Sequence, residues 1–256
     1  MKSEFFIPKS HPRYYSLKIR EKLVEGFKKG IVPIEGLIAQ GRGETFDYIL
    51  GEKTLKPAIK SIKAAAALFL LAKHPVISVN GNSAALVPEE IIKLAEIVGA
   101  KIEVNLFYRT KKREEKIKKL LLSLGADIIL GVGKDASATI PKLMSERRKV
   151  DPRGIFKADV VFVPLEDGDR TESLIKMGKK VIAIDLNPFS RTAQKATITI
   201  VDNIVRAMPE LIKLSQKFKN YSQQKLKSIL KNYDNKIILK EMIGAIEKRL
   251  TSKAAN

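Results

Sequence analysis

From residue 76 onward, short apolar runs alternate with stretches whose apolar residues recur every three or four positions. The runs are 76–79, 102–106, 127–130, 160–163, 181–184 and 197–201, each short enough for a strand. Between the first two, Pro88-Glu89-Glu90 precedes Ile91, Leu94, Ala95 and Val98, and Gly99 follows. Proline in the first turn, acids near the start and glycine past the end are the marks of one helix. Ile117, Leu120, Leu121 and Leu124 make the next helical face, stopped by Gly125. Strand, helix, strand at this spacing predicts βαβ units. The expected fold class is α/β: a Rossmann-like, mostly parallel sheet flanked by helices, with helical N- and C-terminal additions.

The additions differ in texture from this core. Residues 9–29 read as a helix entered through Ser10-His11-Pro12 and closed by Gly30. In 54–73, Leu55, Ile59, Ile62, Ala66 and Phe69 are spaced by 4, 3, 4 and 3, and Pro75 ends the pattern. Between them, Gly41-Arg42-Gly43 reads as a loop. Residues 204–252 read as two or three amphipathic, lysine-rich helices. No internal repeat or low-complexity linker divides the chain. We expect a single domain over 1–256, with an N-terminal helical region at 1–75, a βαβ core at 76–203 and a helical tail at 204–256.

In such a sheet, ligands sit beyond the carboxyl ends of the strands. The segments there are rich in glycine and polar residues. Asn80-Gly81-Asn82-Ser83 offers amide and hydroxyl donors at a helix start, suited to an anion or to simple capping. Tyr108-Arg109-Thr110-Lys111-Lys112-Arg113 places cations at a strand end, one or two of which can grip a phosphate. Asp185-Leu186-Asn187, with Arg191 and Thr192 just beyond, pairs an acid for ribose hydroxyls with phosphate donors. Arg42 between two glycines presents a planar fork to a close ligand, or else an exposed turn paired with Glu44 or Asp47. Gly131-x-Gly133 is a poor dinucleotide fingerprint, because Pro141 would interrupt the helix that must follow. Lys134 lacks the glycine spacing of a P-loop.

Composition narrows the chemistry. There is no cysteine, so disulfides and thiolate metal sites are excluded. His11 and His74 are too far apart in pattern to suggest a metal pair; His74, before Pro75, reads as structural, and His11 leaves a binding role open. The N-terminus lacks the apolar core of a signal peptide, and the longest apolar run, 64–72, is too short to span a bilayer, so a cytoplasmic protein without membrane contact is expected. The net charge of +20 invites a nucleic-acid-binding reading. However, residues 213–253 hold 11 Lys/Arg against 3 Asp/Glu, which is 8 of those 20 charges on one helical tail. Aromatic platforms are missing from the basic run at 109–113, and Glu166-Asp167-Gly168-Asp169 puts acids at a strand end. A small-molecule enzyme that works by positioning and charge neutralisation is favoured.

The runs HPRYYSLKIRE, GLIAQGRGETFDYILGE, ISVNGNSAAL, NLFYRTKKRE, DPRGIFKADVVFVPLEDGDRTE and AIDLNPFSRTA occur in this order. Together they resemble the archaeal phosphopantothenate synthetases, the 4-phosphopantoate–β-alanine ligases, over about residues 9–210. The resemblance implies a homodimer that uses ATP and Mg²⁺ to join 4-phosphopantoate to β-alanine through an acyl-adenylate, with AMP and pyrophosphate released, in coenzyme A biosynthesis. It implies ATP contacts at Arg20, Arg42, Asp185, Leu186, Asn187, Arg191 and Thr192, and at Asn203 and Ile204 after the last strand. For the second substrate, position and chemistry suggest Asn80, Asn82, Ser83, Tyr108 and Arg109.

Overall fold

The computed structural model describes residues 7–165 and 168–254; Glu166 and Asp167, half of the acidic strand-end segment, lie outside the described residues. In chain order the elements are α1 (Tyr14–Lys28), α2 (Ile34–Leu50), α3 (Lys56–Leu71), β1 (Pro75–Val79), α4 (Gly81–Leu86), α5 (Pro88–Val98), β2 (Lys101–Val104), α6 (Lys111–Ser123) and β3 (Ile129–Leu130). There follow β4 (Ala138–Thr139), β5 (Lys149–Val150), β6 (Val160–Pro164), α7 (Gly168–Lys176), β7 (Lys180–Ile184), α8 (Arg191–Lys195), β8 (Ile198–Ile200), α9 (Ile204–Phe218), α10 (Gln223–Lys231) and α11 (Asn235–Ala254).

All six expected strands pair, in the order β3-β2-β1-β6-β7-β8, and every pairing is parallel. Alternate residues along the strands supply two apolar faces. Ile77, Val79, Phe162, Ile182, Ile184, Ile198 and Ile200 pack with α3, α5 and α9. Val76, Val161, Val163, Val181 and Ala183 pack with Leu174 of α7 and with Ile140, Val150 and Ile155 around the small β4–β5 pair. Both faces are covered, as a parallel sheet requires. The strands are shorter than the apolar runs at 102–106, 127–130 and 197–201, because the flanking residues turn out of the ladder into loops. Gly99 and Gly125 close their helices with φ of 67° and 103°, in the left-handed region that glycine tolerates.

One expectation is corrected. Gly41-Arg42-Gly43 is no loop but lies in the middle of α2, a helix of 17 residues closed by Gly51 at φ 88°. An interior glycine costs a helix about 1 kcal/mol, and α2 carries three, Gly36, Gly41 and Gly43. A Cβ at Gly43 would stand 3.4 Å from Leu186, and one at Gly36 would collide with Asn82 Oδ1. Gly36 serves the close seating of α2 on Asn82, whereas a Cβ at Gly43 would make an ordinary contact and one at Gly41 would meet nothing within 4 Å. None of the three serves a turn.

Buried polar groups tie the sheet to its surroundings. Glu103, fully buried on β2, accepts hydrogen bonds from the backbone N–H of Asp151 at 2.9 Å and of Ile155 at 2.6 Å. Burial pushes its carboxyl up to about 7, although those donors favour the charged form. The unfolded chain releases this proton near its ordinary value of 4.5. Between the two values the folded protein still holds it, so this group's contribution is greatest below 4.5, declines as pH rises to about 7, and is flat above. The loss amounts to about 3 kcal/mol. Urea unfolding of the wild type and of Glu103→Gln at pH 5, 6, 7 and 8 should show the difference between the two stability curves changing with pH up to about 7. Parallel curves would contradict the shifted titration.

Candidate functional site

The strand order reverses between β1 and β6, which are neighbours in the sheet but far apart in the chain. Crevices form at such reversals because the loops after the two strands leave in opposite directions. A cleft of 690 Å³ opens there. Its floor is made of the segments after β1 (Asn80 to Asn82), β2 (Leu106 to Tyr108), β6 (Leu165 and Gly168) and β7 (Asp185 to Asn187, then Ser190 to Thr192). Its opposite wall is one face of α2, with Gly36, Ala39, Gly43 and Phe46 at helical spacing and Arg42 beside them.

The β7 end is built around Asp185. Its carboxylate accepts hydrogen bonds from the Ser190 hydroxyl and, at 2.9 Å, from the Asn187 backbone N–H. Ser190 also caps α8, accepting from the Ala193 N–H at 3.0 Å. Burial pushes the Asp185 carboxyl above the usual carboxylate range, against the Ser190 and Asn187 hydrogen bonds and the charge of Arg42. Arg191, in the first turn of α8, is clasped by Asp169 and, at 2.7 Å, by Glu172. Arg191 and then Lys176 draw the Glu172 carboxyl down to about 2. This end therefore presents a held carboxylate, amide and hydroxyl donors and two guanidinium groups within one recess.

The other end has a different make-up. Tyr108, Arg113 and Arg147 line it. Arg147 sits in the short turn before β5, and sequence reasoning missed it because that turn carries no periodic signal. Arg113 belongs to the basic run at 109–113, where nothing in the sequence distinguishes it from its neighbours. Arg109, the candidate from that run, turns its side chain inward: it pairs with Glu114 and donates to the carbonyls of Lys149 at 2.9 Å and Gly131 at 2.7 Å. Its fork fastens loops behind the cleft.

The structure thus gathers Arg42, Asp185, Leu186, Asn187, Arg191, Thr192, Asn80, Asn82 and Tyr108 on one cleft. The Asn80 and Asn82 amides have structural duties there. Asn80 and Ser83 form a reciprocal capping box at the start of α4, and Asn80 Nδ2 donates to the carbonyls of Pro164 and Leu165. Asn82 Nδ2 donates to Gly36 O at 2.8 Å and so ties α2 to the floor. Ser83 is fully buried. Arg20, Asn203 and Ile204 are not among the cleft residues. Arg20 donates from Nε to Glu44 of α2 at 2.8 Å. Asn203 donates to Asp47 of α2 at 2.7 Å, and Ile204 is buried in the core. The backbone N–H of His74 donates to Asp159 at 2.8 Å, and its side chain is exposed. Among the described residues no three acidic or histidine side chains converge as a metal site, and no helix is long and apolar enough to cross a membrane.

Known proteins resemble the whole chain. The profile of the family described as phosphopantothenate/pantothenate synthetase matches residues 57–249. A protein of Thermococcus kodakarensis named 4-phosphopantoate–beta-alanine ligase is 55% identical over 249 residues, covering 97% of this chain and 95% of its own length. One of the same name from Methanosarcina mazei is 52% identical, covering 97% of both chains. A third, from Thermococcus onnurineus, is 55% identical over 248 residues, covering 97% of this chain and 95% of its own. The cleft-bearing core and the helices packed around it fall within these matches, and the chain belongs to the phosphopantothenate/pantothenate synthetase family.

Proposed function

We propose that this protein condenses 4-phosphopantoate with β-alanine at the expense of ATP, giving 4′-phosphopantothenate, AMP and pyrophosphate in coenzyme A biosynthesis. One observation carries the reading beyond the family: a single cleft at the strand reversal joins an end suited to a nucleotide to a second cationic end. Asp185 and Asn187 hold the ribose side, and Leu186 lies against the nucleoside. Arg42, Arg191 and Thr192 meet the phosphates. Arg20 and Asn203 act on the nucleotide indirectly, through Glu44 and Asp47 of α2, and Ile204 supports them from the core. Asn80, Asn82 and Ser83 shape the middle of the floor, Tyr108 meets the acid substrate, and Arg109 braces that end. The three regions of the chain work as one unit, since the cleft takes one wall from α2 and its floor from the sheet.

The chemistry follows from charge. The carboxylate of 4-phosphopantoate attacks the α-phosphorus of ATP, the bond to the β-phosphate oxygen breaks, and pyrophosphate leaves. The amine of β-alanine, arriving neutral, then attacks the acyl carbon of the adenylate and AMP departs. The first step brings two anions together, and guanidinium groups fixed in advance stabilise the charge that builds on the phosphorus. Mg²⁺, a hard cation that keeps waters and phosphate ligands, fits this cleft on the nucleotide, where Glu35 and Asp185 are the lining carboxylates among the described residues. When bound it would neutralise phosphate charge. The homodimer and the cytoplasmic location rest on the family resemblance and the metabolic role.

Incubating the protein with ATP, Mg²⁺ and 4-phosphopantoate should give AMP and 4′-phosphopantothenate only when β-alanine is present. ADP as the product, or product formation indifferent to β-alanine, would refute the reading. Steep salt-dependent RNA binding without turnover would favour the nucleic-acid alternative instead.

A further inference from the structure

Among the described residues the lining carboxylates of the cleft are Glu35 and Asp185, beside the guanidinium groups of Arg42, Arg113, Arg147 and Arg191. Arg191 is clasped by Asp169 and Glu172, and Arg42 faces Asp185. Arg113 and Arg147 belong to the other end, beside Tyr108. We infer that Arg113 and Arg147 form the seat for the phosphate of the acid substrate, at the β2 end of the cleft. This rests on the ligase reading, which leaves open where that phosphate lies.

Arg147 is held there by a buried polar chain. Only 7% of it is exposed. Asn105, fully buried just past β2, donates from Nδ2 to the carbonyls of Arg147 at 3.1 Å and Lys149 at 3.0 Å. Arg147 returns a hydrogen bond to Asn105 O at 3.4 Å. The fully buried Arg170 donates to Asn105 Oδ1 at 2.6 Å and to Ser78 Oγ of β1 at 2.9 Å. Buried cations are costly and are kept where their position matters. This chain fixes Arg147 to the rigid strand ends, so its guanidinium is placed before any ligand arrives. Arg113 comes from the first turn of α6, which Thr110 caps. Its NH1 donates to Tyr108 O, and its buried Nε has no hydrogen-bond partner among the described residues. The positive end of the helix adds to its charge.

A phosphomonoester dianion needs two positive charges and several donors, which two guanidinium forks supply. The ends of β2 and β7 are separated by three strand intervals, about 14 Å. In 4-phosphopantoate, carboxylate and phosphate lie at opposite ends of a four-carbon chain. With its phosphate at Arg113 and Arg147, its carboxylate points along the cleft toward the nucleotide end, as the attack requires.

The test is equilibrium binding by calorimetry. Wild type, Arg147→Met and Arg113→Met are each titrated with 4-phosphopantoate and with pantoate, which lacks the phosphate, and ATP affinity serves as the control. The wild type should prefer the phosphorylated acid, and each variant should lose about tenfold or more of that preference while pantoate binding changes little. Should Arg147→Met fail to fold, the half-buried Arg113 decides. A preference that survives in the variants, or a wild type that binds both acids equally, overturns the assignment. The ligase reading fails separately: if no phosphopantothenate forms but the preference depends on these arginines, the seat stands and the reaction does not.

Discussion

Arg42→Ala is expected to lower kcat/KM for ATP about a hundredfold, with the melting temperature within about 2 °C of wild type. Arg42 lies on the exposed side of α2 and lines the cleft. Its electrostatic neighbour is Asp185, and no hydrogen bond or ion pair within the described residues occupies its fork. The fold loses little with it, and alanine is the best helix former. A guanidinium that meets a phosphate with two charge-assisted hydrogen bonds is worth about 2–3 kcal/mol in the transition state. Arg42→Lys should fall between, since an ammonium keeps the charge but not the fork. Steady-state kinetics with ATP varied decides the matter; an Arg42→Ala enzyme within about threefold of wild type removes α2 from the nucleotide site.

The second large effect is on stability. Arg206→Ala should cost about 3–5 kcal/mol and lower the melting temperature by about 10 °C. Arg206 of α9 reaches Asp202, at the end of β8, and Asp47 of α2. These carboxylates are only 1% and 5% exposed. Thr54 and Asn203 complete the cluster, donating to Asp202 at 2.6 Å and to Asp47 at 2.7 Å. Without the guanidinium, two buried carboxylates face each other uncompensated. Adding Asp202→Asn should recover some of the loss, because it removes one of the stranded charges. For contrast, Lys60→Ala breaks an exposed pair with Glu241 and should cost no more than about 1 kcal/mol. Calorimetry on the three variants tests the ranking. Because Asp47 belongs to α2, Arg206→Ala should also raise the KM for ATP; a variant that melts early yet keeps its KM would show that the cluster holds the fold and not the cleft wall.

The sheet is legible in the sequence because its signals are local. A buried parallel strand needs a short apolar run, and a helix between two strands needs a face repeating every 3.6 residues. Pro88, Gly99 and Gly125 mark their boundaries through backbone constraints that act on single residues. The ligand-bearing loops follow from a rule about where such sheets open, and that rule finds Asp185, Asn187, Arg191 and Thr192. Reading α2 as a loop fails for an equally physical reason. Glycine is penalised in an isolated helix, but at Gly36 the close approach of Asn82, a residue far along the chain, leaves no room for a side chain.

Side-chain direction is what the sequence by itself leaves open. Arg109 and Arg113 lie four positions apart in one basic run, yet one turns inward onto Glu114 and the other lines the cleft. Arg147 joins the site from a turn about forty residues beyond β2, only because Asn105 gathers that turn onto the strand end. The resemblance implies a nucleotide contact at Asn203, and the structure shows the partner of its amide, Asp47 of α2. The sequence alone determined the alternation of strands and helices from β1 to β3, the parallel sheet and the family, since periodicity, caps and ordered motifs are written along the chain. Only the tertiary structure decided which cations share the cleft, because partners distant in sequence compete for every guanidinium, and burial settles the competition.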